Sequence, residues 1–110
     1  MASYEIDRDR WAQLSIYEQM GNIGAEVGRA VNATRAGKDK RAQGAIDRAV
    51  DLIDATVEVL VAQRSPRVKE VLRARDEFLR LFFDGTFEED ADNIVRYFNL
   101  FAIVARSQRP

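Results

Sequence analysis

Four segments of this chain carry apolar residues at alternating spacings of three and four, and this pattern constrains the fold more than any other feature. In the first segment the apolar positions run from Ile16 to Val31. Such spacing places them along one face of an α-helix. No segment alternates with the two-residue period of a half-buried strand. The sequence therefore predicts an all-α protein.

Helix start and stop signals bound the four segments. Ser15 with Glu18, and Thr86 with Glu89, have the spacing of capping boxes. The other signals are Gly37, Ser65-Pro66 and Asp84-Gly85. The predicted helices span about 15–36, 39–63, 66–84 and 87–107. Because the connections are short, consecutive helices should be antiparallel neighbours. We therefore expect an antiparallel up-down-up-down four-helix bundle over residues 15–110.

Residues 1–14 are predicted to form a polar N-terminal arm, which Trp11 and Leu14 attach to the body. The start of the chain is acidic and polar and lacks the apolar core of a signal peptide. No uninterrupted apolar run approaches the roughly 20 residues that a membrane span needs. The sequence therefore predicts no membrane association and a cytoplasmic location.

The composition excludes several kinds of chemistry. The chain has no cysteine and no histidine, so it lacks thiolate ligands, disulfides, the commonest general base and the commonest zinc ligand. Its formal net charge is −1, which gives no overall attraction to nucleic acid. We expect no enzymatic activity, no catalytic residues, no metal and no cofactor.

Arg75 falls inside the apolar arc of the third predicted helix. A buried guanidinium must be paired, because an unpaired buried charge costs several kcal/mol. Glu26 lies midway along the first helix and is the predicted partner, with Asp54 of the second helix as the next choice. Such a buried pair would fix the register of the helices. The alternative is a site at which Arg75 binds an anionic ligand or partner.

Gly21, Gly24 and Gly28 are spaced by three and four, which aligns them on one ridge of the first helix. Each glycine costs roughly 1 kcal/mol relative to alanine in a helix interior. The ridge predicts close packing of another helix, either within the bundle or across an oligomer interface. A ligand groove lined by bare backbone is the alternative.

The fourth predicted helix is apolar over more than its core-facing arc. Tyr97, Leu100 and Val104 lie about a quarter-turn from the core stripe, and Ile103 lies further round. A bundle helix normally buries one arc of a little over 100°. The second arc predicts an oligomer interface. Coverage by neighbouring helices and the N-terminal arm is the alternative.

Two charged rows complete the candidate sites. The acidic row on the second helix contains Asp47, Asp51, Asp54 and Glu58. Carboxylates at such spacing can hold a metal, but without a histidine or a second matching pair we interpret the row as a solvated face. The basic row on the third helix contains Lys69, Arg73 and Arg80. Acidic residues interrupt it, so it is only a candidate nucleic-acid face.

The segment W-A-Q-L-S-I-Y-E-Q-M-G-N-I-G-A-E-V-G-R-A (Trp11 to Ala30) and the segment R-A-R-D-E-F-L (Arg73 to Leu79) resemble small bacterial four-helix-bundle proteins of unknown activity. The predicted architecture is also similar to the family encoded in intervening sequences of 23S ribosomal RNA genes. That family includes the accessory variability determinants of diversity-generating retroelements. The resemblance implies ring-shaped oligomers and, for the retroelement members, action beside a reverse transcriptase. Those accessory proteins are strongly basic, whereas this chain is near neutral.

The sequence favours a non-catalytic assembly or adaptor protein that forms homo-oligomers and binds a partner protein through bundle surfaces. The alternative is an accessory to a nucleic-acid enzyme, binding RNA or DNA through the basic face of the third helix. A carboxylate-metal hydrolase is the least favoured class.

Overall fold

The structure, a computed structural model, describes residues 5–109, and this part of the chain forms helices without any strand. The helices are α1 (Arg8–Ala12), α2 (Ile16–Arg35), α3 (Asp39–Ala62), α4 (Val68–Phe83) and α5 (Phe87–Ser107). The all-α prediction is confirmed. Helices α2 to α5 correspond to the four predicted helices, and α1 is an additional helix.

The four long helices surround one apolar core. Helix α2 packs extensively against α3 on one side and α5 on the other, and α4 contacts both α3 and α5 over smaller areas. Phe78 of α4 and Phe98 of α5 are completely buried between them, together with Met20 and Ile23 of α2 and Ile53 of α3. Burial of this apolar face supplies the main stabilisation of amphipathic helices of this kind.

Within the predicted polar arm, residues 8–12 form a helix that the sequence did not predict. Trp11 is buried against α3, and its indole Nε1 donates a hydrogen bond to Thr56 Oγ1 at 3.0 Å. The side-chain amide of Gln19 donates to the Trp11 and Leu14 carbonyls at 3.0 and 3.2 Å. The described part of the arm is therefore bonded to the body through its backbone as well as its tryptophan. Residues 1–4 of the predicted arm lie outside the described residues.

The two predicted capping boxes have different outcomes. At the start of α2, the Ser15 backbone N–H donates to Glu18 Oε1 and the Glu18 N–H donates to Ser15 Oγ, both at 3.1 Å, which confirms the first box. At the start of α5, Thr86 has φ −91° and ψ 7° and its side chain makes no cap hydrogen bond. The prediction of a second box was wrong, because a capping side chain normally needs extended backbone at that position.

The Ser65-Pro66 signal marks a turn rather than the first residue of a helix. Helix α4 begins two residues beyond Pro66, at Val68. The hydroxyl of Ser65 accepts a hydrogen bond from the Arg67 N–H at 3.2 Å. This short local bond is typical of serine in turns.

Helices α2 and α3 end in the same type of turn with different residues at its left-handed position. Gly37 has φ 69° after α2, and the Lys38 N–H donates back to the Ala33 carbonyl at 2.9 Å. Arg64 has φ 53° after α3, and the Ser65 N–H donates to the Leu60 carbonyl at 2.9 Å. Glycine adopts this left-handed conformation without steric cost, whereas arginine adopts it only at a steric cost. The turn after α3 is therefore strained.

We predict that Arg64→Gly stabilises the protein. The change relieves the left-handed strain, and the entropy of glycine in the unfolded chain offsets part of that gain. We expect a free energy of unfolding higher by up to about 1 kcal/mol. Urea denaturation followed by circular dichroism would measure it. Arg64→Ala is the control, because it removes the guanidinium but keeps the Cβ. Equal stabilisation by both variants would show that the side-chain charge, not the backbone, is responsible.

Candidate interaction surface

The glycine ridge of α2 is used inside the molecule, against α5. A Cβ placed on Gly21 would lie 3.0 Å from Ala102 Cα, and one placed on Gly24 would lie 2.9 Å from Phe98 Cβ. Both distances are shorter than ordinary contacts, so these two positions require glycine for the observed helix spacing. The prediction of close packing is therefore confirmed for Gly21 and Gly24 within the molecule. Gly21 also lines the groove between α2 and α5 that is described below.

Gly28 does not belong to this contact. A Cβ placed on it would meet nothing within 4 Å. The prediction of a three-glycine ridge was therefore wrong for its third member. Helix α5 contacts α2 again beyond this point, where the long side chain of Arg35 reaches Asp92 and Phe87.

Arg75 pairs with Asp54, the second choice of the sequence analysis, and not with Glu26. Its Nε donates to Asp54 Oδ1 at 2.9 Å, and the two side chains remain 30% and 48% exposed. The first-choice partner was wrong because Arg75 faces the α3 side of α4, whereas Glu26 lies between α2 and α3. The pair is also not buried, so the expectation of a fully buried ion pair is corrected as well.

Glu26 is buried, and two arginines bind it instead. Its carboxylate accepts from Arg48 Nε at 2.9 Å and from an Arg29 guanidinium nitrogen at 3.0 Å. Arg48 belongs to α3, so this contact joins α2 to α3. Arg48 was not predicted from the sequence, although its position beside the apolar stripe of α3, next to Ala49, was the available signal. The two arginines therefore compensate the buried charge of Glu26 in the α2–α3 contact.

The outer face of α5 carries an exposed apolar patch of three residues. Leu100 is 56% exposed, Ile103 is 51% exposed and Val104 is 37% exposed. Their spacing of three and four makes them neighbours on the helix surface. The opposite face of α5, with Phe98, is buried in the core. We call Leu100, Ile103 and Val104 the α5 patch.

Tyr97 is not part of this patch, contrary to the sequence prediction. Its phenol donates a hydrogen bond to Glu70 Oε2 of α4 at 2.7 Å, and its ring packs edge-on against Phe98 and Phe101. Burial raises the pKa of the Tyr97 phenol well above its usual value, and the bond to Glu70 raises it further. The neutral phenol therefore acts as a fixed donor in the contact between α4 and α5.

Charge is distributed unevenly along α5. Exposed carboxylates occupy its beginning, namely Glu88, Glu89, Asp90 and Asp92. Its end carries Arg106, with Arg109 just beyond. Asp92 forms an ion pair with Arg35 of α2 at 2.8 Å. Within residues 5–109 the other three carboxylates and the two arginines form no ion pair.

Both of these arginines line a groove of about 410 Å³ between α2 and α5. Small residues of the two helices, among them Gly21 and Ala102, form part of its lining. Glu18 also lines the groove, but its carboxylate already accepts the Ser15 N–H of the capping box. The groove therefore has basic side chains on its α5 side.

The basic row on α4 is exposed, and acidic side chains lie beside it. Lys69 and Arg73 are exposed, and so is Arg80, whose Nε lies 3.5 Å from Asp84 Oδ2. Asp76 is exposed on the same helix. The structure therefore adds no observation in favour of a nucleic-acid face on α4.

The acidic row on α3 is divided among separate partners. Asp47 accepts from Gln43 at 2.9 Å, and Glu58 pairs with Arg8 of α1 at 2.7 Å. Asp54 binds Arg75, as described above, and Asp51 is exposed. Over residues 5–109 no group of three or more acidic, histidine or cysteine side chains has an arrangement suited to a metal ion.

No helix within residues 5–109 is long and apolar enough to cross a membrane.

Comparison of the chain with family models, with curated proteins and with solved structures gives no match.

We predict opposite effects for two alanine substitutions on α2. Gly24→Ala forces its new Cβ against Phe98 and should lower the free energy of unfolding by about 1–3 kcal/mol. Gly28→Ala meets open space in the helix and should raise it by about 0.5–1 kcal/mol. Thermal and urea unfolding of both variants would measure the difference. A stabilising Gly24→Ala would mean that α2 and α5 are further apart than described.

A second pair of variants compares the two ion pairs. Glu26→Gln keeps the side-chain shape but removes the charge that binds two arginines, and should cost about 1–3 kcal/mol of stability. Asp54→Asn changes a half-exposed pair and should cost about 0–1 kcal/mol. Urea unfolding measures both. The reverse order of costs would contradict the described burial of Glu26.

Proposed function

We propose that this chain is a non-catalytic assembly or adaptor protein that associates with further copies of itself through the outer face of α5. The α5 patch is the observation that carries this proposal. Contiguous exposed apolar groups of this kind mark interaction surfaces more often than isolated ones. Association of identical chains is the simplest way to remove the patch from water, because each copy supplies the same surface.

The other exposed large apolar side chains do not form a comparable patch, and this difference supports the choice of α5. Val61 belongs to α3, and Leu72 and Phe83 belong to α4. Leu72 and Phe83 are separated by roughly 16 Å along the helix at 1.5 Å per residue. Scattered single apolar residues are normal on protein surfaces. Among residues 5–109, only the α5 patch combines three such residues on adjacent turns of one helix.

The proposal includes an antiparallel up-down-up-down arrangement of α2 to α5, with α1 as an addition on α3. Short connections between consecutive helices support this arrangement. So does the ring of contacts in which each long helix touches its neighbours in sequence and α5 closes against α2. In an assembly formed through the α5 patch, the other surfaces of the bundle remain available to bind a partner protein.

We predict that the protein has a solution mass at a multiple of 12.5 kDa, and that charges placed in the α5 patch reduce it to one chain. Leu100→Glu and Ile103→Glu should each dissociate the assembly, because burying an unpaired carboxylate costs several kcal/mol. Light scattering after gel filtration at two protein concentrations would measure the mass. Circular dichroism would establish that each variant is folded.

Val61→Glu is the matched control, because Val61 is 58% exposed and lies on α3 rather than α5. It should leave the oligomer intact. A wild-type protein that remains a single chain at both concentrations would overturn self-association. Dissociation by Val61→Glu, with Leu100→Glu unaffected, would move the interface away from α5.

A further inference from the structure

The charges of α5 suggest how two copies would be oriented. Its exposed acidic beginning contains Glu88, Glu89 and Asp90, and its basic end contains Arg106 and Arg109. The α5 patch lies between these two charged ends, nearer to the basic one. Each end therefore carries the charge that the other end of a second copy could neutralise.

Parallel and antiparallel pairing of two α5 helices differ in which ends meet. Parallel pairing places carboxylates beside carboxylates and guanidinium groups beside guanidinium groups, and like charges at an interface are unfavourable. Antiparallel pairing places the basic end of each helix beside the acidic half of the other. It also follows from a two-fold axis perpendicular to the helices, which is the commonest symmetry of oligomers.

The charges available for pairing at the two ends of α5 are those that no contact within residues 5–109 already satisfies. Asp92 is bound by Arg35, and Glu18, the acidic neighbour of Arg106 in the α2–α5 groove, accepts the Ser15 N–H. Glu88, Glu89 and Asp90 form no ion pair in that range. The same holds for Arg106 and Arg109.

Resting on the proposed function, we propose that the partner of α5 is the α5 of a second copy, packed antiparallel about a two-fold axis. The axis passes close to Asn99, so that Leu100 of one chain lies beside Leu100 of the other, and Ile103 and Val104 of each chain pack on the middle of the opposite helix. The basic end of each α5 pairs with the acidic first turns of the other. The assembly is accordingly a dimer or is built from dimers, with an even number of chains.

Charge exchange between the two ends tests the pairing. The double variant Glu88→Lys with Glu89→Lys should raise the dissociation constant about tenfold or more, because both ends of the dimer become basic. The double variant Arg106→Glu with Arg109→Glu should weaken it similarly, because both ends become acidic. An equimolar mixture should regain an affinity within about threefold of the wild type, since basic ends then meet acidic ends. This recovery shows that the charged ends lie in the interface, and the label distances below give the direction of the two helices.

Asp47→Lys with Asp51→Lys on α3 is the control, because it changes the net charge by the same amount as the first double variant. It should leave the dissociation constant unchanged. Sedimentation equilibrium would give these constants, and circular dichroism would show that each variant is folded. Unchanged or tighter association of both α5 double variants would overturn the antiparallel pairing, and so would an odd number of chains.

Distance measurement between spin labels tests the orientation without altering both charged ends. The chain has no cysteine, so a single introduced cysteine carries the only label. Labels at Glu89→Cys should be about 30 Å apart in the antiparallel dimer, from 1.5 Å of rise per residue. Labels at Asn99→Cys, near the axis, should be much closer together.

The two labelled variants also separate the possible failures. Close labels at both positions, about 10 Å apart as for parallel packed helices, would overturn the orientation but keep self-association through α5. Distant labels at both positions in an oligomer would overturn the use of α5 itself. A protein that remains a single chain would overturn the proposed function together with this inference.

Discussion

The close approach of α2 and α5 is the constraint on which the rest of the structure depends. It exists because Gly21 and Gly24 lack a Cβ where Ala102 and Phe98 arrive. Two glycines make α2 intrinsically less stable as a helix than two alanines would, and the dense packing of Phe98 offsets that cost. Once the inner face of α5 is fixed in this way, the direction of its remaining faces follows. Tyr97 turns toward α4, and the α5 patch turns outward.

Polar side chains then fix the positions of the other elements more specifically than apolar burial can. Glu26 joins α2 to α3 through Arg48, and Trp11 joins α1 to α3 through Thr56. Each contact places a polar or charged atom where an absent partner would cost about 1–3 kcal/mol. Displacement of one helix along another is therefore opposed, although the apolar core alone would tolerate small shifts.

The long helices could be predicted from the sequence because each repeats its apolar spacing over many turns and carries local end signals such as Gly37. Helix α1 could not, because its five residues are too few to show a period and its one apolar anchor, Trp11, finds its place only after α3 has formed. The partner of Arg75 was ambiguous for a similar reason. Helical spacing identifies a side chain near the core but not which neighbouring helix it faces. The exposed α5 patch was predictable, since three apolar residues exceeded what one buried arc requires.

The distribution of charge on α5 has a role in the single chain as well as in the proposed dimer. Carboxylates in the first turn and arginines near the end both interact favourably with the helix dipole, and this stabilises α5 without any partner. The dipole gives no reason for Leu100, Ile103 and Val104 to face water. Antiparallel association uses both features at once, because the charge order that suits one isolated helix is complementary to itself when the second helix is reversed. The same side chains can therefore stabilise the monomer and orient the dimer.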